Sequence, residues 1–253
     1  MPATAVPPVA MPDFWTTFKV FTPFHFITLG VCVTLIVGAC WLGRRWRGTS
    51  AEPRLRWAWA AFILLMQAPS NYYYLVLNWD LQRSLPLHIC DLTVLIAAGA
   101  LLTNTRVLKT MLYFWGIGLS TQGFITPVVQ QGLGTGDYWF FWMNHLQIIG
   151  SAVYMLVVLK YRPVRRDYLT AIMVSFAYIA AILCFDLALG VNYGYVGNLT
   201  PKTPTLIDKM GPWPLRVYMM LGIASTLFAV MWLVWPVVYA VRGKVYPPPH
   251  EPV

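Results

Sequence analysis

Residues 85–93, LPLHICDLT, place His88, Cys90 and Asp91 within four positions at the start of an apolar run. A thiol attacks only as thiolate, so Cys90 as a nucleophile needs a base within reach. On regular helix His88 and Asp91, three apart, share a face, whereas Cys90 stands about 100° from Asp91 and about 200° from His88. His88 is therefore badly placed to serve Cys90. A histidine from another segment, His145 in WMNHLQ, is the better partner. At about 1.5 Å per residue, Cys90 lies roughly 7 Å below the start of its segment and His145 roughly 10 Å below the start of its own, depths compatible with contact. Each residue also has a plainer reading. A cysteine in an apolar helix packs as a small residue, an aspartate in the first turn meets the helix dipole, and a histidine bridges helices by hydrogen bonding. A Cys90–Cys184 disulfide is a further alternative.

The segments that must position these groups belong to a membrane. The 253 residues are 58% hydrophobic and 11% charged, with mean hydropathy +0.59; soluble domains carry about 25% charged residues. Spans need about 20 mostly apolar residues, and seven candidates stand out: 24–43, 57–77, 85–102, 107–127, 138–160, 168–190 and 215–241. The expected fold is all-α, a single polytopic domain over 1–253 built as a bundle of seven transmembrane helices in the cell membrane. The net charge of +9 reads as basic loops that set topology and touch anionic lipid, not as a nucleic-acid surface. The proline-rich first 23 residues do not read as a cleavable signal. The four cysteines (Cys32, Cys40, Cys90 and Cys184) lie in apolar segments, unlike a secreted disulfide framework. No internal repeat stands out, which argues against an inverted-repeat transporter.

Orientation follows from Lys and Arg. Five fall between the first two spans, two between spans 3 and 4, four in KYRPVRRD and two in the C-terminal tail. The opposite side holds Lys19, Arg83, Lys202, Lys209 and Arg216. The N-terminus is expected outside and the C-terminus in the cytoplasm. Trp41, Trp46, Trp57 and Trp59 then mark the inner interface, and Trp79, Trp139 and Trp142 the outer one. In this frame the polar residues share one depth band. Gln67, Ser70 and Asn71 come from span 2, and His88, Cys90 and Asp91 from span 3. Thr121, Gln122 and Thr126 belong to span 4, Asn144, His145 and Gln147 to span 5. Asp186 belongs to span 6, Asn192 and Tyr193 follow it, and His25 opens span 1. Ionisable groups at membrane depth normally line a bundle interior or wet cavity, so six helices are expected to surround one pocket open to the outer leaflet.

LPLHICDLT resembles the opening of helix 3 in the YwaF-like bacterial seven-helix membrane proteins. Thr126-Pro127, WMNHLQ, Arg162-Pro163, Asn192-Tyr193 and KTPTLIDKMGPWP at 202–214 extend the likeness over nearly the whole chain. That family is similar to a eukaryotic transmembrane acyltransferase that moves a polyunsaturated acyl chain between phospholipids and uses a membrane cysteine and histidine. More distant is a likeness to androgen-induced membrane hydrolases of fatty acid esters, which use threonine and histidine.

The resemblance implies covalent acyl transfer with Cys90 as nucleophile and His145 as base, without a cofactor. Phospholipids and lysophospholipids would be its partners. In that scheme Asp186 or Asp91 orients the histidine, His88 shapes the surroundings, and Gln122 or Asn192 donates to the oxyanion. Asn144 points about 100° away from His145. Asn71, Thr126, Tyr193 and Trp213 line or cap the pocket, unless GPWP simply braces the last helix. Two rivals remain open. One is a zinc lipid hydrolase using His25, His88 and His145 with an aspartate, although no two of these share a helix at ligand spacing. The other is a receptor or lipid-binding scaffold without catalysis.

Overall fold

The computed structural model describes residues 12–199, 206–243 and 245–246. Regular structure among them is helical, apart from one antiparallel bridge between Thr17 and Gln131. A single turn, α1 (Asp13–Thr16), precedes the long α2 (Pro23–Arg45). Thr22 caps α2 by accepting from the His25 N–H, and Pro23 fills a first-turn position where no N–H is needed. α3 (Ala51–Tyr72) contains Pro69 and passes into a π-helical stretch, Tyr73–Leu77. A non-helical link leads to α4 (Ile89–Thr103), which ends at Asn104 in the left-handed conformation.

α5 (Arg106–Met111) continues as π-helix through Leu112–Leu119 and breaks at Ser120, whose N–H bonds the Trp115 carbonyl five residues back. One more turn follows, α6 (Gln122–Ile125). α7 (Gly136–Val157) starts where Thr135 accepts from the Tyr138 N–H. α8 (Arg165–Leu189) stops at Gly190, φ +61°, a conformation glycine adopts without a Cβ clash. Short 3₁₀ turns at Tyr193–Tyr195 and Leu206–Met210 precede α9 (Leu215–Val241).

Among the described residues four helices (α2, α7, α8 and α9) are long and apolar enough to cross a membrane. The other three expected spans take different forms. α3 has charge in its first two turns and turns π-helical, α4 has only 15 residues, and the 106–125 run is broken at Ser120. The third span was expected from residue 85, but α4 starts at Ile89 because residues 84–88 are not helical and His88 is extended. The last span matches its expected limits.

α4 and α7 are the central pair. α4 packs on α3, α5 and α7, and α7 also lies against α2, while α8 and α9 pack together. The apolar window of α7 is 61% buried and that of α8 only 11%. The exterior of α2, α8 and α9 is correspondingly apolar, with Val31, Leu35, Met173, Phe176, Tyr218 and Val230 exposed. Such a surface suits hydrocarbon and not water.

Two tryptophans expected at the membrane interfaces pack inward. Trp142 is buried among Phe18, His25, Phe124 and Tyr138, and Trp59 donates from Nε1 to Gln147 Oε1 between α3 and α7. Trp142 is a core residue, and Trp59 packs half-buried against the core. At the far end of α7, Tyr154 donates to Glu52, which also pairs with Arg56 at 2.9 Å. Asp167 holds Arg106 there at 2.7 Å.

A candidate active-site cavity between α3, α4 and α7

A cavity of about 610 Å³ lies where the end of α3, the 78–88 link, the first turn of α4 and the first half of α7 converge. The 128–131 segment and Asn192, Tyr195 and Leu199 close its sides. Three helices and the links between them build it, not six. His25, Gln122, Thr126 and Asp186 are absent from its wall.

Cys90, half-buried in the first turn of α4, lines the cavity. Its Sγ is 3.6 Å from Ser120 Oγ. The Ser120 hydroxyl donates to the Trp115 carbonyl at 3.1 Å, which leaves its lone pairs to accept from the thiol. His145, 7% exposed, lines the same cavity from α7. Its Nδ1 lies 2.8 Å from the Phe141 carbonyl four residues back, so Nδ1 carries the proton and Nε2 keeps a lone pair. The ring stacks on Phe141 with centroids 4.1 Å apart. Its Cδ2–Nε2 edge lies so close to Gly123 that a Cβ there would overlap it. The break after the π-helical stretch thus touches both groups, Cys90 through Ser120 and His145 through Gly123.

The expected supporting residues divide. Asp91 lines the cavity, but its carboxylate accepts the His88 N–H at 3.1 Å and so caps α4. Asp186, fully buried, accepts the Tyr193 N–H at 2.9 Å outside the cavity. Neither orients His145; the Phe141 carbonyl does. His88 accepts the Gly194 N–H at Nδ1 and packs on Tyr193 and Tyr195, tying that turn to the start of α4. Gln122 is exposed and donates to Thr126 Oγ1. Asn192 reaches the wall and gives one of its two amide N–H groups to the Leu199 carbonyl at 2.9 Å. Asn71 lines the cavity.

Asn144, set aside as the oxyanion donor in favour of Gln122 or Asn192, stands in the wall beside His145. It faces the cavity, accepts from Gln67 Nε2 at 3.0 Å, and keeps its own N–H donors. α7 is central enough for neighbouring positions 144 and 145 both to reach the wall. Tyr193 and Trp213 brace instead of lining. Tyr193 Oη joins the Leu81 carbonyl and the Leu85 N–H, and Trp213 Nε1 donates to the Val196 carbonyl at 3.1 Å. Arg216 next to it is buried on the carbonyls of Gly197 and Leu199. Residues 202–205 of the 202–214 string lie outside the described residues.

Among the described residues His88 and His145 line the one cavity, but His25 does not join them. His25 Nε2 donates to the Phe124 carbonyl at 3.0 Å while its Nδ1 accepts from Phe21, away from the cavity. Among the described residues no three of His, Cys, Asp and Glu are grouped as a metal site. The four cysteines are free, with Cys184 exposed.

A family model for the TMEM164 family matches residues 20–234. The chain belongs to the TMEM164 family. The matched region runs from before α2 to within α9 and takes in every residue of the cavity wall. With the four apolar spans, this makes the chain a multi-pass membrane protein. No curated protein and no solved structure matches it.

In this TMEM164-family chain, sequence reasoning missed Ser120, Gly123, Tyr74 and Asp137. Gly123 carries no chemical label, and its role follows only from the imidazole beside it. Ser120 stood next to the noted Thr121 and Gln122, but the π-helical stretch turns Ser120 inward and Gln122 outward. Tyr74 Oη donates to Asp137 at 3.2 Å across the wall.

Proposed function

We propose that the chain is a lipid-remodelling acyltransferase or lipid esterase with Cys90 as nucleophile and His145 as base. It would act on phospholipids from a cavity open to the outer leaflet, in a seven-span chain with its N-terminus outside. The observation that carries this reading is that Cys90 and His145 line one cavity and are both held by the Ser120–Gly123 break. The Nδ1–H tautomer of His145 supports a base at Nε2. The likeness to YwaF-like proteins and to the eukaryotic acyltransferase supports the substrate class.

In this scheme His145 Nε2 takes the Cys90 proton and the thiolate attacks an ester carbonyl. The tetrahedral oxyanion meets the Asn144 amide N–H. Collapse breaks the C–O bond, and imidazolium returns the proton to the departing lysophospholipid oxygen. A second lysophospholipid hydroxyl, or water, then attacks the thioester with His145 again as base, releasing the product and the free thiol.

One observation favours a second reading, a lipid-binding protein without turnover: the Cys90 thiol is hydrogen-bonded to Ser120 and not to His145. Intact-protein mass spectrometry after incubation with mixed phospholipids and lysophospholipids separates the two. The expected result is a hydroxylamine-sensitive acyl adduct on the native chain that is absent from Cys90→Ala and much reduced in His145→Ala. No adduct together with unchanged lipid composition would sink the enzyme reading.

A further inference from the structure

Arg83 is the only cationic side chain among the described residues that line the cavity. It stands on the link before α4, and its side chain is 46% exposed, whereas His145 is buried. Arg83 therefore marks the mouth and His145 the wall within.

The turn that carries it is held from several directions. The Arg83 N–H donates to the Asp80 carbonyl at 2.9 Å and the Asp80 N–H to Ser84 Oγ at 2.7 Å. Ser84 is itself buried. The fully buried Tyr193 clamps both sides, accepting the Leu85 N–H at 3.0 Å and donating to the Leu81 carbonyl at 2.7 Å. Gln82 adds a bond to the Gly190 carbonyl.

The guanidinium on this rigid turn is poorly used by the protein. Its two ion pairs, to Asp80 and Asp137, are both 3.9 Å long, at the outer limit of such contacts. Asp137 has no need of it, since its two oxygens accept the hydroxyls of Tyr73 and Tyr74 at 3.1 and 3.2 Å. Exposed pairs of such length stabilise little. What remains is a fork of N–H donors fixed at the entrance to a cavity of ligand size.

We infer that Arg83 binds the phosphate ester of a lipid headgroup and sets the register of the lipid whose chain enters the cavity. Guanidinium matches phosphate oxygens two at a time, which an ammonium does not. The two long carboxylate contacts are exchanged for the phosphate without leaving a buried charge unpaired. The inference rests on the reading of the cavity as a lipid site, but it concerns binding and not acyl transfer.

Native mass spectrometry of the full-length chain in detergent tests it, with lysophosphatidylcholine and a monoacylglycerol of the same acyl chain as probes. The native chain is expected to bind lysophosphatidylcholine at least tenfold more tightly than monoacylglycerol. Arg83→Gln is expected to lose that preference with monoacylglycerol binding unchanged, and Arg83→Lys to recover only part of it. Equal binding of the two lipids by the native chain overturns the inference, as does an undiminished preference in Arg83→Gln. Displacement of lysophosphatidylcholine by millimolar inorganic phosphate would assign the site to the free anion and overturn the lipid assignment. If Arg83→Gln does not elute as the native species, the native chain and Arg83→Lys still decide. Repeating the titration on Cys90→Ala keeps the two readings apart: a preference dependent on Arg83 in that background carries the headgroup inference without any acyl transfer, while absence of an acyl adduct from the native chain sinks catalysis alone.

Discussion

Substituting Gly123 by alanine perturbs His145 without touching its chemistry. A Cβ at 123 would overlap imidazole Cδ2 and Nε2, so either the ring or the Ser120–Gly123 break must move. If the ring stays, overpacking of this kind costs about 1–3 kcal/mol. If the ring swings, it gives up the 2.8 Å bond from Nδ1 to Phe141 and the 4.1 Å stack on Phe141. The bond contributes about 0.5–1.5 kcal/mol and the stack a further ~0.5–1.5 kcal/mol. Against either cost, alanine gains up to about 1 kcal/mol of helix propensity over glycine. The net expectation is a loss of about 1–2 kcal/mol, or roughly 2–8 °C in the thermal midpoint for a chain of this size. Displacing the base by about 1 Å would slow formation of the acyl adduct by roughly 100-fold.

The sharper assay is a double-mutant cycle with His145→Ala, read by thermal unfolding in detergent. Alanine at 145 removes the ring, so Gly123→Ala should become neutral or slightly stabilising there, a coupling of about 1–3 kcal/mol between the two sites. An equal cost in both backgrounds would refute the claim that position 123 is reserved for the histidine.

Asp167 accepts from Arg106 Nε and Nη2, from Thr110 and from the Val164 N–H, and is 4% exposed. Asp167→Ala should therefore cost about 3–5 kcal/mol by leaving Arg106 without its carboxylate, seen as a large fall in thermal midpoint; a shift within error would contradict the network. Asp91→Ala should cost about 1 kcal/mol through the lost cap on the His88 N–H, while the acyl adduct still forms. Loss of the adduct as complete as in His145→Ala would instead make Asp91 the orienting member of the pair.

The sequence was most legible where structure depends on near neighbours. Composition alone places the chain in a membrane, and α9 keeps its expected limits because an unbroken apolar run has one helical solution. Cys90 and His145 were picked out together because a thiol and an imidazole are costly at membrane depth and imply a shared cavity. The plainer alternative for Asp91, a charge at a helix start, was equally visible in LPLHICDLT, and its carboxylate does cap α4.

What the tertiary structure decided is which side chains face inward. Asn144 stands in the wall, while Gln122, Thr126 and Asp186 lie outside it. The periodicity used to assign faces assumes about 3.6 residues per turn, but the chain here runs through π-helix at 112–119 and 73–77 and through an extended His88. Each departure rotates the residues that follow, so a face read from spacing no longer holds beyond it. The choice of Gly123 to make room for His145 and of Arg83 to stand at the mouth rests on where separate segments cross. Residue type and order set which groups exist and how deep they lie; only the crossing of α4, α7 and the broken 106–125 run sets which of them meet.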